Sequence, residues 1–302
     1  MNGVIHLIKP PGMTSSNVVV AVKKICNVKK TGHTGTLDPG ACGVLSVCVG
    51  RATKIADYLM ESRKIYIAGV RFGSTTDTLD SYGRITHTSS GRATPEALKS
   101  ACAAYTGEQS QVPPMYSAIK VNGQKMYDIA RQGREIELAP RQITVYAIDM
   151  IEMDEAAQTC LLRIECSGGT YIRTLCAELA KQMGTLGYIS FLLRSHACNT
   201  DVSQCRSLDE IASMAAAGDH SFLIPADSAL ADFPQCTLED YLFPIVTTGS
   251  PIDLSRIKNG DAVPRQKELR VYCKGVFVGM GYCQDNLLTM KTMYYINQKE
   301  SE

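Results

Sequence analysis

Short apolar runs rich in β-branched residues alternate with helix-patterned segments along most of this chain, and this alternation restricts its fold more than any other feature. Strand-type runs begin at residues 3, 44 and 64, and again near residues 141 and 160. Segments with helical spacing of apolar residues lie between them. The pattern predicts an α/β (α+β) domain that is built on a mixed sheet.

Local signals indicate where several helices begin and end. Ser15 or Ser16 is predicted to cap a helix that continues to residue 26. Thr94 before Pro95 predicts another helix start, and residues 207–210 form a capping box before a helix that Gly218 ends. Helices are also predicted over residues 124–133 and 170–183. Residues 109–123 contain two prolines and an Asn-Gly pair, which predict an exposed excursion.

The pattern changes near Pro244, where short strands broken by glycine and proline replace the alternation. We therefore predict two domains, a large domain over residues 1–243 and a small all-β module over residues 244–302. A length of 302 residues is consistent with one large domain and a smaller one.

The charge is distributed unevenly between the two halves. Residues 1–150 contain 18 Lys and Arg against 11 Asp and Glu, a balance of +7, whereas the whole chain carries +1. A positive N-terminal half can steer a polyanion toward itself, although solvated surface lysines give the same balance.

The twelve cysteines include no C-x-x-C pair, so neither a zinc site nor a redox motif is predicted. Several of them, such as Cys48, Cys160 and Cys176, lie in apolar stretches where a thiol serves as a small hydrophobic group. The start of the chain lacks the pattern of a secretory leader, and no apolar run approaches the roughly 18 residues that span a bilayer. These features predict a cytoplasmic protein with reduced thiols.

Residues 32–45, GHTGTLDPGACGVL, are the most informative segment. Taken alone, Asp38-Pro39-Gly40 is a turn sequence, because proline fixes φ and glycine allows a positive φ. A phosphate-binding P-loop is excluded, since no Gly-Lys-Ser/Thr follows the glycines.

The whole string resembles the catalytic motif of TruB-type pseudouridine synthases of the bacterial type. Three further segments agree with that family in order and spacing, namely residues 9–16 (KPPGMTSS), 64–66 (KIY) and 167–173 (SGGTYIR). Residues 112–123 and 127–131 resemble the family's RNA-gripping insertion, which would occupy about residues 109–141. The resemblance covers residues 3 to about 200, and the C-terminal module is similar to a PUA-type RNA-binding module.

The resemblance implies a pseudouridine synthase fold with a largely antiparallel sheet, and it assigns roles to individual residues. The implied catalytic residues are Asp38, Tyr66 and Arg173. The implied substrate-binding residues are His33, Tyr171, Leu192, Lys9, Lys120, Lys125 and Arg131. The implied substrate is the uridine at position 55 in the T-loop of tRNA. The T-arm of tRNA is the expected partner of a monomer with no obligate protein partner and no membrane contact.

The chemistry of pseudouridine formation fits this residue set. The reaction breaks the N1–C1′ bond of uridine and joins C5 to C1′, so no atoms are gained or lost and no metal or organic cofactor is expected. A carboxylate can attack or stabilise an electrophilic carbon, and a guanidinium can orient it while opposing the rise in pKa that burial causes.

Other interpretations stay open from the residues alone. Tyr66 and Leu192 could be ordinary core residues, Arg173 a surface helix residue, and His33 a structural histidine. The chain also departs from the family at Gly168, at residues 178–180 and at residues 193–194, where the family often has Lys, Asp-Leu-Gly and two arginines. The alternative functions are a related synthase acting on another RNA, with or without a guide RNA, and a non-catalytic tRNA-folding chaperone.

Overall fold

We describe the protein from a computed structural model, which covers residues 1–116, 120–121, 124–126 and 138–295. The strands are β1 Gly3–Lys9, β2 Thr31–His33, β3 Cys42–Val49, β4 Lys64–Phe72, β5 Ser74–Thr76, β6 Ile85–Thr88, β7 Gly107–Gln111, β8 Lys120–Val121, β9 Gln124–Lys125, β10 Arg141–Asp154, β11 Thr159–Cys166, β12 Gly187–Ala197, β13 Thr200–Asp201, β14 Gln235–Leu238, β15 Ile252–Asp253, β16 Glu268–Cys273, β17 Val276–Gln284 and β18 Leu287–Met293.

The α-helices of the described residues are α1 Ser15–Ile25, α2 Ala56–Met60, α3 Pro95–Ala104, α4 Ile172–Gln182, α5 Leu208–Ala216 and α6 Phe243–Val246. Short 3₁₀ helices span Gly50–Ile55, Val202–Gln204, Ser228–Leu230, Asp240–Leu242, Leu254–Arg256 and Gly260–Ala262. None of the helices in the described part of the chain is long and apolar enough to cross a bilayer.

A nine-stranded sheet carries the larger part of the molecule, and its strand order is β1-β3-β12-β4-β11-β10-β7. Strands β2 and β13 pair with β3 and β12 outside this path. Neighbouring strands are antiparallel except for β3 and β12, which are parallel over a short register, Leu193 with Cys42 and Arg194 with Gly43. The predicted mixed, largely antiparallel sheet is confirmed.

The close approach of β3 and β12 requires glycine at residue 43. Gly43 has a φ of +105°, and a Cβ placed there would overlap the backbone carbonyl of Arg194. The turn that precedes β3 is therefore held directly against β12, which brings the segment around residue 38 next to the centre of the sheet.

Helices cover the sheet because their apolar sides match the alternating side chains of the strands. Along β1 and β3, Ile5 and Leu45 pack with Val18 of α1 and Ile211 of α5, on one face. Farther along the sheet, the side chains of β4 and β11 pack with those of α3 and α4 in the largest apolar cluster. The ten buried cysteines lie in these clusters or at their edges as free thiols, as their apolar surroundings predicted.

The helix caps agree with the sequence in two cases and differ in one. The Thr94 hydroxyl accepts from the Ala97 amide, and Ser207 and Glu210 form the expected capping box. The predicted cap at Ser15 or Ser16 is wrong, since the Thr14 hydroxyl accepts from the Asn17 amide and caps α1. The hydroxyl of Ser15 instead bonds to the backbone of Leu37, so a tertiary contact takes that residue out of the capping position.

The excursion predicted over residues 109–123 starts later than expected. Residues 109–111 belong to β7, which pairs with β10 at the edge of the main sheet. Strands β8 and β9 then form a short hairpin, and Gln124 and Lys125 lie in it rather than in the predicted helix. The rest of that helix prediction, including Arg131, lies outside the described residues.

The C-terminal part is a five-stranded sheet with the order β14-β16-β17-β18-β15. Its first strand precedes the predicted boundary at residue 244, because β14 pairs in parallel with β16 and Cys236 and Leu238 pack in the apolar cluster of this sheet. The sheet therefore starts at Gln235. It contacts the larger part through Met280, which shares an apolar cluster with Val4.

Candidate active site

The site is built around a tight turn between β2 and β3. The amide of Ala41 donates to the carbonyl of Asp38 at 3.1 Å, which closes a β-turn over Asp38-Pro39-Gly40 as the sequence predicted. The carbonyl of Pro39 also accepts from the amide of Gly12, at 2.8 Å. We call residues 38–41 the catalytic turn, because the resemblance implies that Asp38 is the catalytic residue.

The side chain of Lys9 holds this turn in place through hydrogen bonds. Its ammonium is fully buried and donates to the carbonyls of Pro10, Pro39 and Ala41 at 2.9, 3.1 and 2.7 Å. Burial lowers the pKa of Lys9 to about 8, so the ammonium stays largely protonated at neutral pH and can satisfy all three carbonyls. The expected contact of Lys9 with substrate is replaced by this internal role, because its three donors are already used.

Asp38 leaves the turn on the other side and forms an ion pair with Arg173. The Nε atom of Arg173 lies 2.9 Å from Oδ2 of Asp38, and Nη2 donates to Oδ1 at 3.2 Å. Two contacts to one carboxylate fix the direction of both oxygens as well as their charge. The arginine is only 4 % exposed, so the surface interpretation of Arg173 is wrong.

The remaining donors of Arg173 are used by backbone carbonyls. Nη1 donates to Thr78 at 2.9 Å and Nη2 to Tyr116 at 2.8 Å, while Oδ2 of Asp80 lies 3.9 Å from Nη1. A buried guanidinium with this many fixed partners cannot turn away from Asp38 without leaving several carbonyls unpaired.

Asp80 organises the loop that supplies these partners. Its Oδ1 accepts from the Thr78 hydroxyl at 2.6 Å and from the Tyr82 amide at 3.0 Å, and its carbonyl accepts from the Thr76 hydroxyl at 2.7 Å. Leu79, in the same loop, adopts a left-handed conformation with φ of +61°, which is unfavourable for a branched aliphatic residue. The Asp80 contacts hold this conformation, so the loop presents a fixed carbonyl to Arg173.

Burial and neighbouring charges act on the pKa of the Asp38 carboxyl group. Burial is the largest influence and raises the pKa, Arg173 opposes that rise, and the carboxylate of Asp80 adds to it. The balance leaves the pKa above the ordinary value of an aspartate. A carboxylate with a raised pKa is a stronger base and nucleophile than a free one, and the ion pair with Arg173 favours its charged form.

Helix α4 begins one residue before Arg173, and a side chain from β7 holds that start. Tyr171 is the capping residue but provides no side-chain cap. Instead, the buried amide of Gln111 accepts from the Tyr171 amide at 2.8 Å and donates to its carbonyl at 3.1 Å. This two-sided contact resembles a backbone strand pair and fixes the helix end that carries Arg173.

Tyr66 lies in β4, opposite Arg194 of β12. It is buried in the apolar cluster that also contains Leu37, Ala41 and Leu192. Burial raises the pKa of Tyr66, the positive charge of Arg194 counteracts this, and Asp38 is close enough for its charge to raise the pKa further. The phenol is therefore held in its neutral form beside the catalytic turn.

Arg194 links these parts and was not assigned a role from the sequence. Its Nε donates to the carbonyl of Val44 at 2.7 Å and its Nη2 to the carbonyl of Gly35 at 3.2 Å, so it joins β12 to both ends of the segment that carries Asp38. No local pattern indicates this role, because Arg194 is separated from Val44 by 150 residues.

The other predicted site residues differ in how close they lie to Asp38. Leu192 lines the same cleft as Asp38 and Arg173. His33 lies in β2, and burial followed by the charge of Arg194 lowers its pKa, which favours the neutral imidazole. The main chains of Lys120 and Lys125 pair with each other in the β8–β9 hairpin. Arg131 lies outside the described residues.

The cleft itself contains residues that the sequence analysis did not find. Asp80, Tyr82 and Phe191 line it together with Asp38 and Arg173. Its polar end is the Asp38–Arg173 pair, and its walls are largely apolar, which is the arrangement expected of a site that binds a nucleobase. Among the described residues, no group of three or more His, Cys, Asp or Glu side chains is arranged to hold a metal ion.

A basic groove lies apart from the cleft, where the end of α1 meets the 3₁₀ helix over residues 50–55. Lys29, Lys30, Arg51 and Lys54 line it. None of them forms an ion pair with a carboxylate in the part of the chain that the structure describes. Part of the net positive charge of the N-terminal half is thus concentrated on one surface.

Comparison with known proteins decides the family. The model of the N-terminal domain of TruB family pseudouridylate synthases matches residues 23–172. The tRNA pseudouridine synthase B of Alkaliphilus oremlandii is 37 % identical over 303 aligned residues, which cover 99 % of this chain and 100 % of that protein. The chain belongs to the TruB family. The tRNA pseudouridine synthase B of Neisseria meningitidis serogroup B is 36 % identical and aligns with 100 % of this chain and 96 % of its own.

Solved structures confirm the fold of this TruB-family chain. A chain from an H/ACA ribonucleoprotein bound to a substrate RNA that contains 2′-deoxyuridine superposes with a TM-score of 0.74 at 21 % identity, covering 98 % of this chain and 86 % of that one. The pseudouridine synthase fold predicted from the sequence is therefore confirmed, including the β-rich C-terminal part.

Proposed function

We propose that this TruB-family chain converts uridine at position 55 in the T-loop of tRNA to pseudouridine, with Asp38 as the essential carboxylate. The observation that carries the proposal is the pairing of Asp38 with the buried Arg173 at the polar end of an apolar cleft. The names of the full-length relatives support tRNA as the substrate.

The reaction needs only groups that this site supplies. The N1–C1′ bond breaks, the base turns, C5 bonds to C1′, and the proton on C5 leaves while N1 gains one. Asp38 serves as nucleophile or as stabiliser of the electron-poor centre, and its raised pKa suits both roles. Arg173 orients the carboxylate and keeps it ionised.

Tyr66 and Arg194 support the base during its rotation. A buried neutral phenol can stack on the uracil ring and exchange a proton with it, and the positive charge of Arg194 makes the phenol a better acid than burial alone would allow. His33, Tyr171 and Leu192 are proposed to bind the RNA around the flipped nucleotide.

Two basic regions are proposed to bind the phosphate backbone. The groove lined by Lys29, Lys30 and Lys54 has cations without carboxylate partners among the described residues. The second region is the insertion implied by the resemblance, with Lys120, Lys125 and Arg131 as its proposed phosphate-binding residues. If each lost phosphate contact removes about 0.7 to 0.9 from the log–log salt slope, changing these three residues to Ala should flatten it by up to roughly two units.

Loss of the C5 hydrogen gives a direct test. Unmodified tRNA with tritium at C5 of its uridines should release label to water when incubated with the protein, because the new glycosidic bond forms at C5. The same tRNA with cytidine at position 55 should release none. Release from the second tRNA would show that another uridine is the target, and no release from either would refute the enzymatic proposal.

The proposed enzyme is a monomer that acts in the cytoplasm without an obligate protein partner. Turnover by the purified chain alone would support this, and light scattering during size-exclusion chromatography would give the mass in solution. A requirement for a second protein or a guide RNA would instead indicate an enzyme that works in a complex.

A further inference from the structure

Tyr82 is an exposed aromatic residue at the mouth of the active-site cleft. It is 69 % exposed, and its hydroxyl makes no hydrogen bond within the described residues. Its amide, in contrast, is fixed by Oδ1 of Asp80 at 3.0 Å. The backbone of Tyr82 is therefore tied to the same loop that contacts Arg173, while its ring is held only by packing.

The ring of Tyr82 packs on the catalytic turn, against Gly40. A Cβ built on Gly40 would overlap the ring, which shows how closely the two residues approach. Gly40 lies two residues after Asp38, and both residues line the cleft with Tyr82. In this arrangement the ring covers part of the surface beside the catalytic carboxylate.

The cleft between these residues is too small for a nucleobase. Its volume is about 30 Å³, enough for about two water molecules, whereas a cavity that holds a benzene ring measures about 150 Å³. A pyrimidine ring with its substituents is several times larger, so a wall must move before uridine can enter the cleft beside Asp38. Arg173, Ile189 and Leu192 are buried in the fold and cannot leave easily.

Tyr82 is the wall that can move. Phe191, the other exposed aromatic residue of the cleft, lies in the central strand β12 and is less exposed, 46 % against 69 % for Tyr82. Tyr82 lies in a loop, and rotation about its side-chain torsions frees the cleft without breaking any hydrogen bond among the described residues. Its exposed ring also has a free face on which a base can stack.

We propose that Tyr82 is a substrate-contacting residue, whose ring covers the catalytic turn in the free enzyme, moves aside when the target nucleotide enters, and then stacks on a base of the RNA. The proposal rests on the proposed function for the identity of the RNA, and it names a contact that neither the fold nor the Asp38–Arg173 pair requires.

Kinetics of two variants, compared with the wild type, test the stacking contact. Stacking on an aromatic side chain corresponds to about 5- to 150-fold in affinity, so Tyr82→Ala should raise KM in that range and change kcat less. Tyr82→Phe should behave as the wild type, because the hydroxyl has no partner. An unchanged KM in Tyr82→Ala, or an equal loss in Tyr82→Phe, would overturn the proposal. Tritium release by the wild type in the same assay shows that the proposed function itself holds.

Fluorescence tests the movement directly, because the chain contains no tryptophan. Tyr82→Trp, combined with Asp38→Asn to prevent turnover, introduces a single reporter. We expect its emission to change when unmodified tRNA saturates the protein, as shown by filter binding on the same samples. Tyr146→Trp, in β10, is the matched control for effects of RNA absorbance. Saturation by tRNA with the same emission response from both reporters would refute the movement.

Gly40→Ala gives an independent check on the free state. An alanine side chain at this position must displace the ring, so adding Gly40→Ala to Tyr82→Trp should change the emission of the free protein. The shift should be toward the emission of the RNA complex. No change would show that the ring does not rest on Gly40 in solution, and the proposal would fail.

Discussion

At the scale of single residues, the site depends on the Asp38 carboxylate, whose surroundings have opposite effects on its charge. Burial and Asp80 disfavour its charge, whereas Arg173 favours it. Arg173 makes two contacts with Asp38 and also donates to two backbone carbonyls, so the position of the ion pair is fixed. The catalytic contribution of Asp38 should therefore be separable from its contribution to RNA binding.

We expect Asp38→Asn to lower turnover by at least about 10⁴-fold and to leave tRNA affinity within a few-fold of the wild type. The amide has the same shape but cannot act as a nucleophile. Single-turnover tritium release and filter binding measure the two quantities. Asp57→Asn, on the exposed first turn of α2, is the matched control and should retain full turnover. Substantial turnover in purified Asp38→Asn would contradict the assignment.

The raised pKa of Asp38 predicts a specific pH dependence. Because the ionised form is the active one, the single-turnover rate at saturating tRNA should fall as pH decreases, with a midpoint above the value of about 3.9 for a free aspartate. Asp80→Asn removes a negative charge that raises this pKa, so the midpoint should move to lower pH. Carboxyl carbon-13 titration of the free protein measures the same pKa independently of activity. A midpoint at or below 3.9 would show that Arg173 outweighs burial.

At the scale of secondary-structure elements, the important contact is the one that fixes the start of α4. Gln111 donates to and accepts from the backbone of Tyr171, two residues before Arg173. Since this amide replaces a missing cap, its loss should affect both stability and the position of Arg173.

Gln111→Glu keeps the acceptor for the Tyr171 amide but places a buried carboxylate against the Tyr171 carbonyl. We expect a loss of about 1–3 kcal/mol in the free energy of unfolding, together with a lower single-turnover rate. Denaturant unfolding and tritium release measure these effects. Gln109→Glu, in the same strand with one long contact to Ala104, is the control. Equal effects of both substitutions would show that charge on β7, rather than the Tyr171 contact, is responsible.

The elements that could be predicted are those with local signals. The strands β1, β4, β10 and β11 follow from their apolar runs, and the starts of α3 and α5 follow from their caps. No pattern indicated β12, although it is the central strand, because two register shifts within it break the alternation of inward and outward side chains.

The residues of the candidate site divide in the same way, into those that a sequence motif indicates and those whose role depends on contacts between distant segments. Asp38 and Arg173 were found through the resemblance of whole motifs, since individually they read as a turn residue and a surface residue. Asp80, Tyr82 and Arg194 were missed because their importance comes from contacts with distant segments, such as that between Arg194 and Val44. Lys9 was assigned to substrate because its burial under the catalytic turn depends on the paired strands β1 and β3.

At the scale of the whole molecule, the C-terminal sheet is joined to the larger part by polar and apolar contacts. The side chain of Arg270 donates to the carbonyls of Phe233 and Asp227, and Lys54 donates to the carbonyl of Met293. A chain ending near Leu242 would retain β14 without its partner β16. The sheet is removed as a unit only by ending the chain at Pro234.

We expect residues 1–234 to bind tRNA more weakly while keeping most of the single-turnover rate, because the Asp38–Arg173 pair and the cleft lie wholly within them. Stability should fall, since Val4 and its neighbours lose their contact with Met280. The rate at saturating tRNA and thermal unfolding measure these effects. A folded truncated chain that binds normally but does not react would show that the C-terminal sheet helps to form the active site.

The place of β12 in the sheet also determines when an active centre can exist during protein synthesis. This strand lies between β3 and β4, so the strands made before it form two separate halves, β1-β3 and β4-β11-β10-β7. A nascent chain that has just passed residue 172 contains Asp38 but lacks Arg173, and it still lacks the strand that joins the halves. Because chains emerge N-terminus first, the catalytic turn is synthesised early, whereas Arg173 and the central strand follow much later. We therefore expect the nascent chain to have no active centre until the central strand is in place.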